Sequence, residues 1–398
     1  MSKYRVCLIS TGRLDKFPAN DMQPTRTNYG TWSGGRFMHF GEAISEERYL
    51  DGIRRAYDKG IRTFVTSDVY GKGEADIMLG RALEGIPRDS YCLVALLGHD
   101  IYEGKRAGAR GYARFTHPEL RPPSQYASYM RMATEKALER IKVDSFDGVL
   151  LHNPDIRGYS DETVWKAMDN LRETKLTEFI GVAPGPANGF TLDIINCFER
   201  FGSLIEWGMV IQSPFEPWPS DLLEPAAVKE DIKLIARVVD FGGIFHDDLK
   251  PGHQFREGDH RVYRPEGWVE QGNEKLEKMR PIAEKHGISM LHLSCLWTLA
   301  QPAVEAVVPT FIQETGENAK SYEDKIDDLA ALPELELPEE DVKTIFEIGN
   351  NKGCMGLKGG NPDYDGEEQP DQWQLNDDLR GVAERWGIKP ECDLVNTM

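Results

Sequence analysis

The feature that most limits what this chain can become is a rhythm in which short apolar runs of strand length alternate with amphipathic stretches of helix length. From Ser124 the rhythm is regular. It predicts a helix to about Ile141, a strand Phe146 to Leu151, a helix Asp161 to Glu173, a strand Glu178 to Val182, a helix Thr191 to Phe201 and a strand Met209 to Gln212. A short helix from Ser220, a strand Ile232 to Val238, helices Trp268 to His286 and Ser289 to Leu299, and a strand Ala303 to Val308 complete it. Upstream, Ser45 caps a helix through Leu50, Ile53 and Tyr57 that stops at Gly60. Ile61 to Thr66 follows as a strand, about Ala75 to Leu83 as a helix and Tyr91 to Leu97 as a strand. Strands that alternate with helices build a parallel sheet, and about eight of them close into a barrel. The expected fold is α/β, a (β/α)8 TIM barrel with an extended C-terminal tail. An open doubly wound sheet fits less well, because no GxGxxG follows the early strands.

The first strand has two candidates, Val6 to Ile9 and the glycine-rich Tyr29 to Gly35. The barrel is assigned to 1–348 with long βα loops, and 349–398 to an extension packed on it. Beyond Leu332 come an acidic segment, a helix from about Glu339 to Ile348 and a tail containing Gly353, Gly356, Gly359 and Gly360, with few apolar residues for a core of its own. Gly98 to Pro123 is long for a connection in such a fold, and loops of that length are usually functional. The stretch Gly252 to Arg261 reads either as a lid or as a surface excursion.

Parallel barrels present their chemistry at the carboxyl ends of the strands. Two apolar runs end there in polar residues: Phe64-Val65-Thr66-Ser67-Asp68-Val69-Tyr70-Gly71 and Val149-Leu150-Leu151-His152-Asn153-Pro154-Asp155. Composition narrows the partners. With 47 basic against 66 acidic residues, the net charge of -19 opposes nucleic acid and anionic membranes. The six cysteines are scattered without a CxxC pair, which favours a reducing cytoplasm and no structural zinc. Met1 to Ser10 is too short in apolar residues for a signal peptide, and no stretch reaches the ~18 apolar residues of a membrane span, so a soluble cytoplasmic protein is expected.

These stretches resemble the aldo-keto reductase superfamily over about Gly30 to Ile348. The resemblance rests on Thr66-Ser67-Asp68-Val69-Tyr70-Gly71 with Leu79-Gly80, on Leu150-Leu151-His152-Asn153-Pro154-Asp155, and on Ile180-Gly181-Val182, in matching order and spacing. It implies a barrel that binds NADP(H) and reduces carbonyls with an Asp, Tyr, Lys, His tetrad. The tyrosine falls on Tyr70 and the histidine on His152, while the aspartate position holds Val65 and the lysine position Leu96. Loss of one partner from a buried ion pair strands a charge at a cost of about 3 to 5 kcal/mol, whereas two apolar replacements are tolerated. The paired loss therefore reads as a rebuilt floor. Cofactor contacts are implied at Gln212 and at Asp327-Asp328, where the family has Glu-Asn against adenine. The family's Ser-Asn after Gly-Val is here Ala183-Pro184, and Pro309-Thr310-Phe311 lacks the phosphate-binding Lys or Arg. Two acids in that place repel a 2′-phosphate.

The expected mouth brings together Asp68, Tyr70, His99, Asp100, His152, Asn153, Gln212, Glu216, Trp218, Arg237 and Asp240. Tyr70 and His152 are the catalytic candidates, and Asp68, His99, Asn153, Glu216, Trp218, Arg237 and Asp240 the substrate-binding ones. Such a polar and aromatic wall suits a carbohydrate-like small molecule. His246-Asp247-Asp248, with His99 or Glu216, offers oxygen and nitrogen donors for a divalent ion, but clustered loop acids are more often solvated and no metal is assigned. Cys354 has no visible base and is not read as a nucleophile. Three functions are compatible with these residues. The first is an oxidoreductase acting on a sugar-like or other polar carbonyl or alcohol with NADP(H) and an atypical tetrad. The second is a non-redox carbohydrate lyase, dehydratase or isomerase using Tyr70 and His152 as acid and base. The third is a non-catalytic binding relative. Oligomeric state is not legible in the sequence.

Overall fold

Eight short strands pair in sequence order, all parallel: β1 (Asn28–Gly30), β2 (Thr63–Ser67), β3 (Cys92–Leu97), β4 (Phe146–His152), β5 (Thr177–Ala183), β6 (Ile205–Ile211), β7 (Lys233–Arg237) and β8 (Val304–Val308). Thr27 bridges Val307 in parallel and the Val307 amide donates to the Arg26 carbonyl at 3.0 Å, so the last strand returns beside the first and the (β/α)8 barrel closes. The computed structural model describes residues 22–106, 111–185, 190–264, 266–351 and 375–394. The first strand thus overlaps the glycine-rich candidate, and Val6 to Ile9 lies outside the described residues, as do Gly353, Cys354, Gly356, Gly359 and Gly360.

The helices are α1 (Glu46–Asp58), α2 (Glu74–Ala82), α3 (Tyr126–Ile141), α4 (Ile156–Ser160), α5 (Glu162–Glu173), α6 (Thr191–Phe201), α7 (Ser220–Lys229), α8 (Trp268–His286), α9 (Met290–Leu299), α10 (Tyr322–Ala330), α11 (Glu339–Gly349), α12 (Asp377–Trp386) and α13 (Pro390–Asp393). Local chemistry sets their ends. The Ser45 side chain accepts from the Arg48 amide, Glu46 and Glu47 lie in the first turn of α1, and Gly60 follows its end with φ +106. No helix among the described residues is long and apolar enough to cross a membrane.

Strand residues alternate between two faces. Inward, Val65, Cys92, Val94, Leu96, Leu150, Phe179, Trp207, Met209, Ile235, Ala306 and Val308 fill a dry barrel interior. Outward, Phe64, Leu93, Ala95, Val149, Leu151, Ile180 and Leu234 pack under the helices. β6 begins four residues before the predicted Met209, because Trp207 belongs to this inner layer and extends the pattern backward.

Both long insertions are tied down. The segment after β3 folds back through antiparallel bridges His99 to Arg114 and Arg106 to Tyr112, and the buried Arg121 guanidinium meets Asp100 at 2.5 Å. The stretch after β7 is anchored by Arg261, which is fully buried between Asp259 at 2.8 Å and the Glu314 carboxylate. This anchors the Asp259–Arg261 end of the stretch, while Gly252, Gln254, Glu257 and Gly258 stay exposed on the surface. In the C-terminal segment α12 rests on α6: Leu379, Val382 and Ala383 join the main core, and Glu199 accepts from Arg385 at 2.6 Å and from the Trp386 indole at 3.0 Å.

Candidate active site

Tyr70 stands just beyond β2, where Val69 leads into a short 3₁₀ turn. Gly71 follows with φ +60, and a Cβ there would lie 2.8 Å from the Phe37 ring, so the turn that presents the tyrosine favours glycine. His152 ends β4, two residues beyond the inward Leu150 and on the same face. The two rings meet edge-on with centroids 6.1 Å apart, and Trp32 closes the other side of Tyr70 at 6.1 Å. The Tyr70 hydroxyl makes no hydrogen bond to a described residue.

Ser67, which sequence reasoning passed over, sets the state of His152. Its hydroxyl donates to the Leu96 carbonyl at 2.7 Å and lies 3.0 Å from His152 Nδ1. A serine has one hydrogen to give, so towards the imidazole it accepts, and Nδ1 carries the proton. Nε2 is left with its lone pair. Burial first, and then the charges of His99, Arg114 and Arg237, hold the His152 pKa well below the usual histidine value, so the ring is neutral. Burial pushes the Tyr70 hydroxyl up to about 12, with Arg237 pulling the other way.

His99 packs against His152 with centroids 5.0 Å apart. The Asn153 side-chain amide lies 3.2 Å from His99 Nε2, and His99 Nδ1 lies 3.1 Å from the Arg114 guanidinium and 3.2 Å from the Tyr112 carbonyl. Burial and then Arg114 take His99 down to about 3. Arg114 arrives from the long loop after β3 and donates to the Asn153 and Tyr112 carbonyls, a contact no sequence spacing announced. His99 and Asn153 thus form one fixed, uncharged wall beside His152.

Arg237 ends β7 with Ile235 beneath it on the inner face. Glu216 lies buried after β6, and its charge reaches both Arg237 and Arg264. Gln212 is fully buried at the end of β6, where its amide nitrogen donates to Glu224; its Oε1 and the neighbouring Ser213 Oγ are buried without a hydrogen-bond partner among the described residues.

Four of the expected site residues have other duties, and a fifth, Asp68, is turned away. It follows the inward Ser67 and so faces the helix layer near Asp76 and Arg140, where burial raises its pKa well above the carboxylate range and both its oxygens are without a hydrogen-bond partner among the described residues. Asp240 Oδ1 accepts from the Thr310 amide at 2.7 Å, tying the turn after β7 to the end of β8, and Oδ2 accepts from the Gly243 amide at 2.9 Å within its own turn. Trp218 turns its indole to the Asp393 carbonyl at 2.7 Å and its backbone to Asn351, holding the C-terminal segment. Asp327 pairs with Arg55 at 2.5 Å and Lys59 at 3.4 Å, and Asp328 accepts from Ser289 at 3.1 Å. Arg55 and Lys59 are at the last turn of α1, so Asp327 is engaged in ion pairing between α10 and α1.

The metal-like run is divided in the same way. His246 Nε2 donates to the Thr310 carbonyl at 2.8 Å, Asp247 meets Lys250 and Arg280, and Asp248 meets the buried Lys325 at 2.6 Å. Among the described residues no group of three or more His, Cys, Asp or Glu side chains is placed to hold a metal ion.

Comparison with known proteins gives a consistent result. A model of the aldo/keto reductase family matches residues 28–350. The chain is 24% identical over 321 residues to the probable aldo-keto reductase 1 of Glycine max, covering 77% of this chain and 81% of that protein. It is 24% identical over 335 residues to the uncharacterized oxidoreductase YqkF of Bacillus subtilis (strain 168), covering 84% and 95%. Among solved structures, the glycerol dehydrogenase AKR11B4 from Gluconobacter oxydans aligns with a TM-score of 0.65 at 20% identity, over 84% of this chain and 94% of that one. An aldo/keto reductase from Klebsiella pneumoniae in complex with NADP and acetate aligns with a TM-score of 0.53 at 20% identity, over 81% and 90%.

Proposed function

The chain belongs to the aldo/keto reductase family, and from that premise we propose that it is an NADP(H)-dependent oxidoreductase of a sugar-like or other polar carbonyl compound, or of the corresponding alcohol, working through Tyr70 and His152 without the family's aspartate and lysine. The observation that carries this reading is the Ser67–His152–Tyr70 arrangement at the barrel mouth. The orphaned Gln212 Oε1 and Ser213 Oγ fit the two hydrogens of a carboxamide, which supports a nicotinamide at the end of β6. When bound, that ring supplies or accepts a hydride at the substrate carbon.

The chain's own residues handle the proton. Tyr70 Oη holds one at neutral pH, and at about 12 its pKa still lies below that of water, about 15.7, which sets the scale for a strongly basic oxygen such as a developing alkoxide. The donation is therefore downhill, though less so than with a lysine at the floor. His152 Nε2, lone pair outward, accepts a hydrogen bond from a substrate hydroxyl. His99 and Asn153 limit where that group sits. The apolar floor of Val65 and Leu96 favours one second reading, a non-redox lyase, dehydratase or isomerase, since moving a proton between Tyr70 and His152 needs no cation beneath them.

The test is NADPH titration by fluorescence together with turnover of carbonyl substrates by wild type and Tyr70→Phe. The expected result is saturable NADPH binding and a ~10²–10⁴-fold lower kcat in the variant, the range for loss of a general acid. Absence of NADPH binding up to millimolar concentration overturns the proposal. Tyr70-dependent turnover in nucleotide-free protein transfers the argument to the second reading.

A further inference from the structure

Several arginines drawn into the body of this protein meet a carboxylate: Arg261 has Asp259 and Glu314, Arg121 has Asp100, Arg140 has Asp76, and Arg88 has Asp147, each within ion-pair distance. Arg237, like Arg114, is held by backbone carbonyls instead. It lies level with Ile211 on β6 and Val308 on β8. Its Nη2 donates to the carbonyls of Pro184 at 3.2 Å and Gly185 at 2.7 Å, at the end of β5. Those bonds fix the guanidinium across the mouth and occupy one nitrogen. Nε and Nη1 have no partner among the described residues, and the acid whose field reaches the group is Glu216.

A guanidinium taken out of water without a counter-ion is costly, and such a group is retained where an anion is received. Its planar fork matches a carboxylate bidentately. Position adds the chemistry. Arg237 ends β7 on the inner face and Tyr70 stands just beyond β2, so both belong to the same rim of the barrel, and each acts on the other's charge. A carboxylate held by Arg237 shares that mouth with the oxygen that meets Tyr70. A net charge of -19 repels anions elsewhere on the molecule, so the local cation also selects the place of binding.

We infer that Arg237 binds the carboxylate of the substrate, and that the compound turned over at Tyr70 is a 2-oxo or 2-hydroxy acid, sugar acids included, a refinement that rests on the oxidoreductase reading above. The same guanidinium would also receive a phosphate of the dinucleotide, so the experiment separates the two sources.

Wild type, Arg237→Met and Arg237→Lys are compared on matched pairs, each a 2-oxo acid and its uncharged amide, with NADPH affinity measured alongside and folding checked by thermal melting. The expected result is a fall of ~10–100-fold in the acid-to-amide ratio of kcat/KM in Arg237→Met, the range for a charge-assisted hydrogen bond, partly restored in Arg237→Lys. A ratio that does not move while NADPH affinity falls assigns Arg237 to the cofactor and overturns the inference. Where no carbonyl is turned over, calorimetric binding of the 2-oxo acids decides: binding lost in Arg237→Met sustains the carboxylate site while the oxidoreductase reading fails, and no binding of any acid to wild type overturns the site itself.

Discussion

His152 Nδ1 lies 3.0 Å from the Ser67 hydroxyl, which gives its own hydrogen to the Leu96 carbonyl. This chain fixes a neutral histidine as the Nδ1–H tautomer and leaves Nε2 as an acceptor in the mouth. Ser67→Ala removes the acceptor and leaves a buried ring N–H unpaired, at a cost of ~1–3 kcal/mol. The variant should melt lower, and the His152 signal in ¹⁵N-detected ring spectra, assigned with His152→Asn, should shift from Nδ1–H towards Nε2–H. An Nε2–H tautomer already present in wild type would remove the basis for the acceptor role.

Glu224 shows the opposite response to burial. Its carboxyl accepts from Gln212, yet burial raises its pKa from 4.5 to about 7, with the Gln212 bond opposing. A raised folded pKa means the stability linked to the bound proton is fully present below the unfolded value and lost as pH climbs through the folded one. Between pH 4.5 and about 7 wild type should therefore lose up to ~3 kcal/mol relative to an uncharged analogue, at roughly 1.4 kcal/mol per pH unit. Glu224→Gln keeps an acceptor for Gln212 and never ionises. Urea unfolding at pH 4, 6 and 8 should find the variant more stable than wild type at pH 8 and level with it at pH 4, and a gap that is the same at all three would show that Glu224 does not titrate in this range.

The barrel was legible in the sequence because its determinants are local and periodic: the Ser45 cap, the apolar runs and the strand-end polar residues all lie within a few positions of the elements they define. Tyr70 and His152 were legible as neighbours for the same reason, since a strand end in a parallel barrel is a defined place. What stayed hidden depends on which way a side chain faces or what approaches from far along the chain. Asp68 is one residue beyond Ser67, and that single step turns it from the mouth to the helices. Asp240 is taken by the Thr310 amide, 70 residues on. Trp218 meets Asp393, 175 residues away, and Arg114 reaches Asn153 from inside a loop with no periodic signal. Composition gives no hint that Ser67 would set the tautomer of a histidine 85 positions later.

The rebuilt floor makes the sharpest prediction about Tyr70. Ser67 pairs with Leu96 and Val65 with Val94, so Val65 and Leu96 are diagonal neighbours on the inner face of adjacent strands, 0% and 2% exposed. Leu96→Lys alone places an ammonium in a dry interior without a counter-charge and should destabilise by ~3–5 kcal/mol. Val65→Asp alone strands a carboxyl in the same way. Val65→Asp with Leu96→Lys restores the partner, so the double variant should be more stable than the sum of the two single losses by ~1–3 kcal/mol, a coupling read from a double-mutant cycle. The restored cation beside the phenol should also bring the Tyr70 pKa down from about 12, detected as the earlier tyrosinate absorbance that disappears when Tyr70→Phe is added. Strictly additive losses, or an unchanged tyrosinate titration in a folded double variant, would show that these two positions do not act on Tyr70 as a pair.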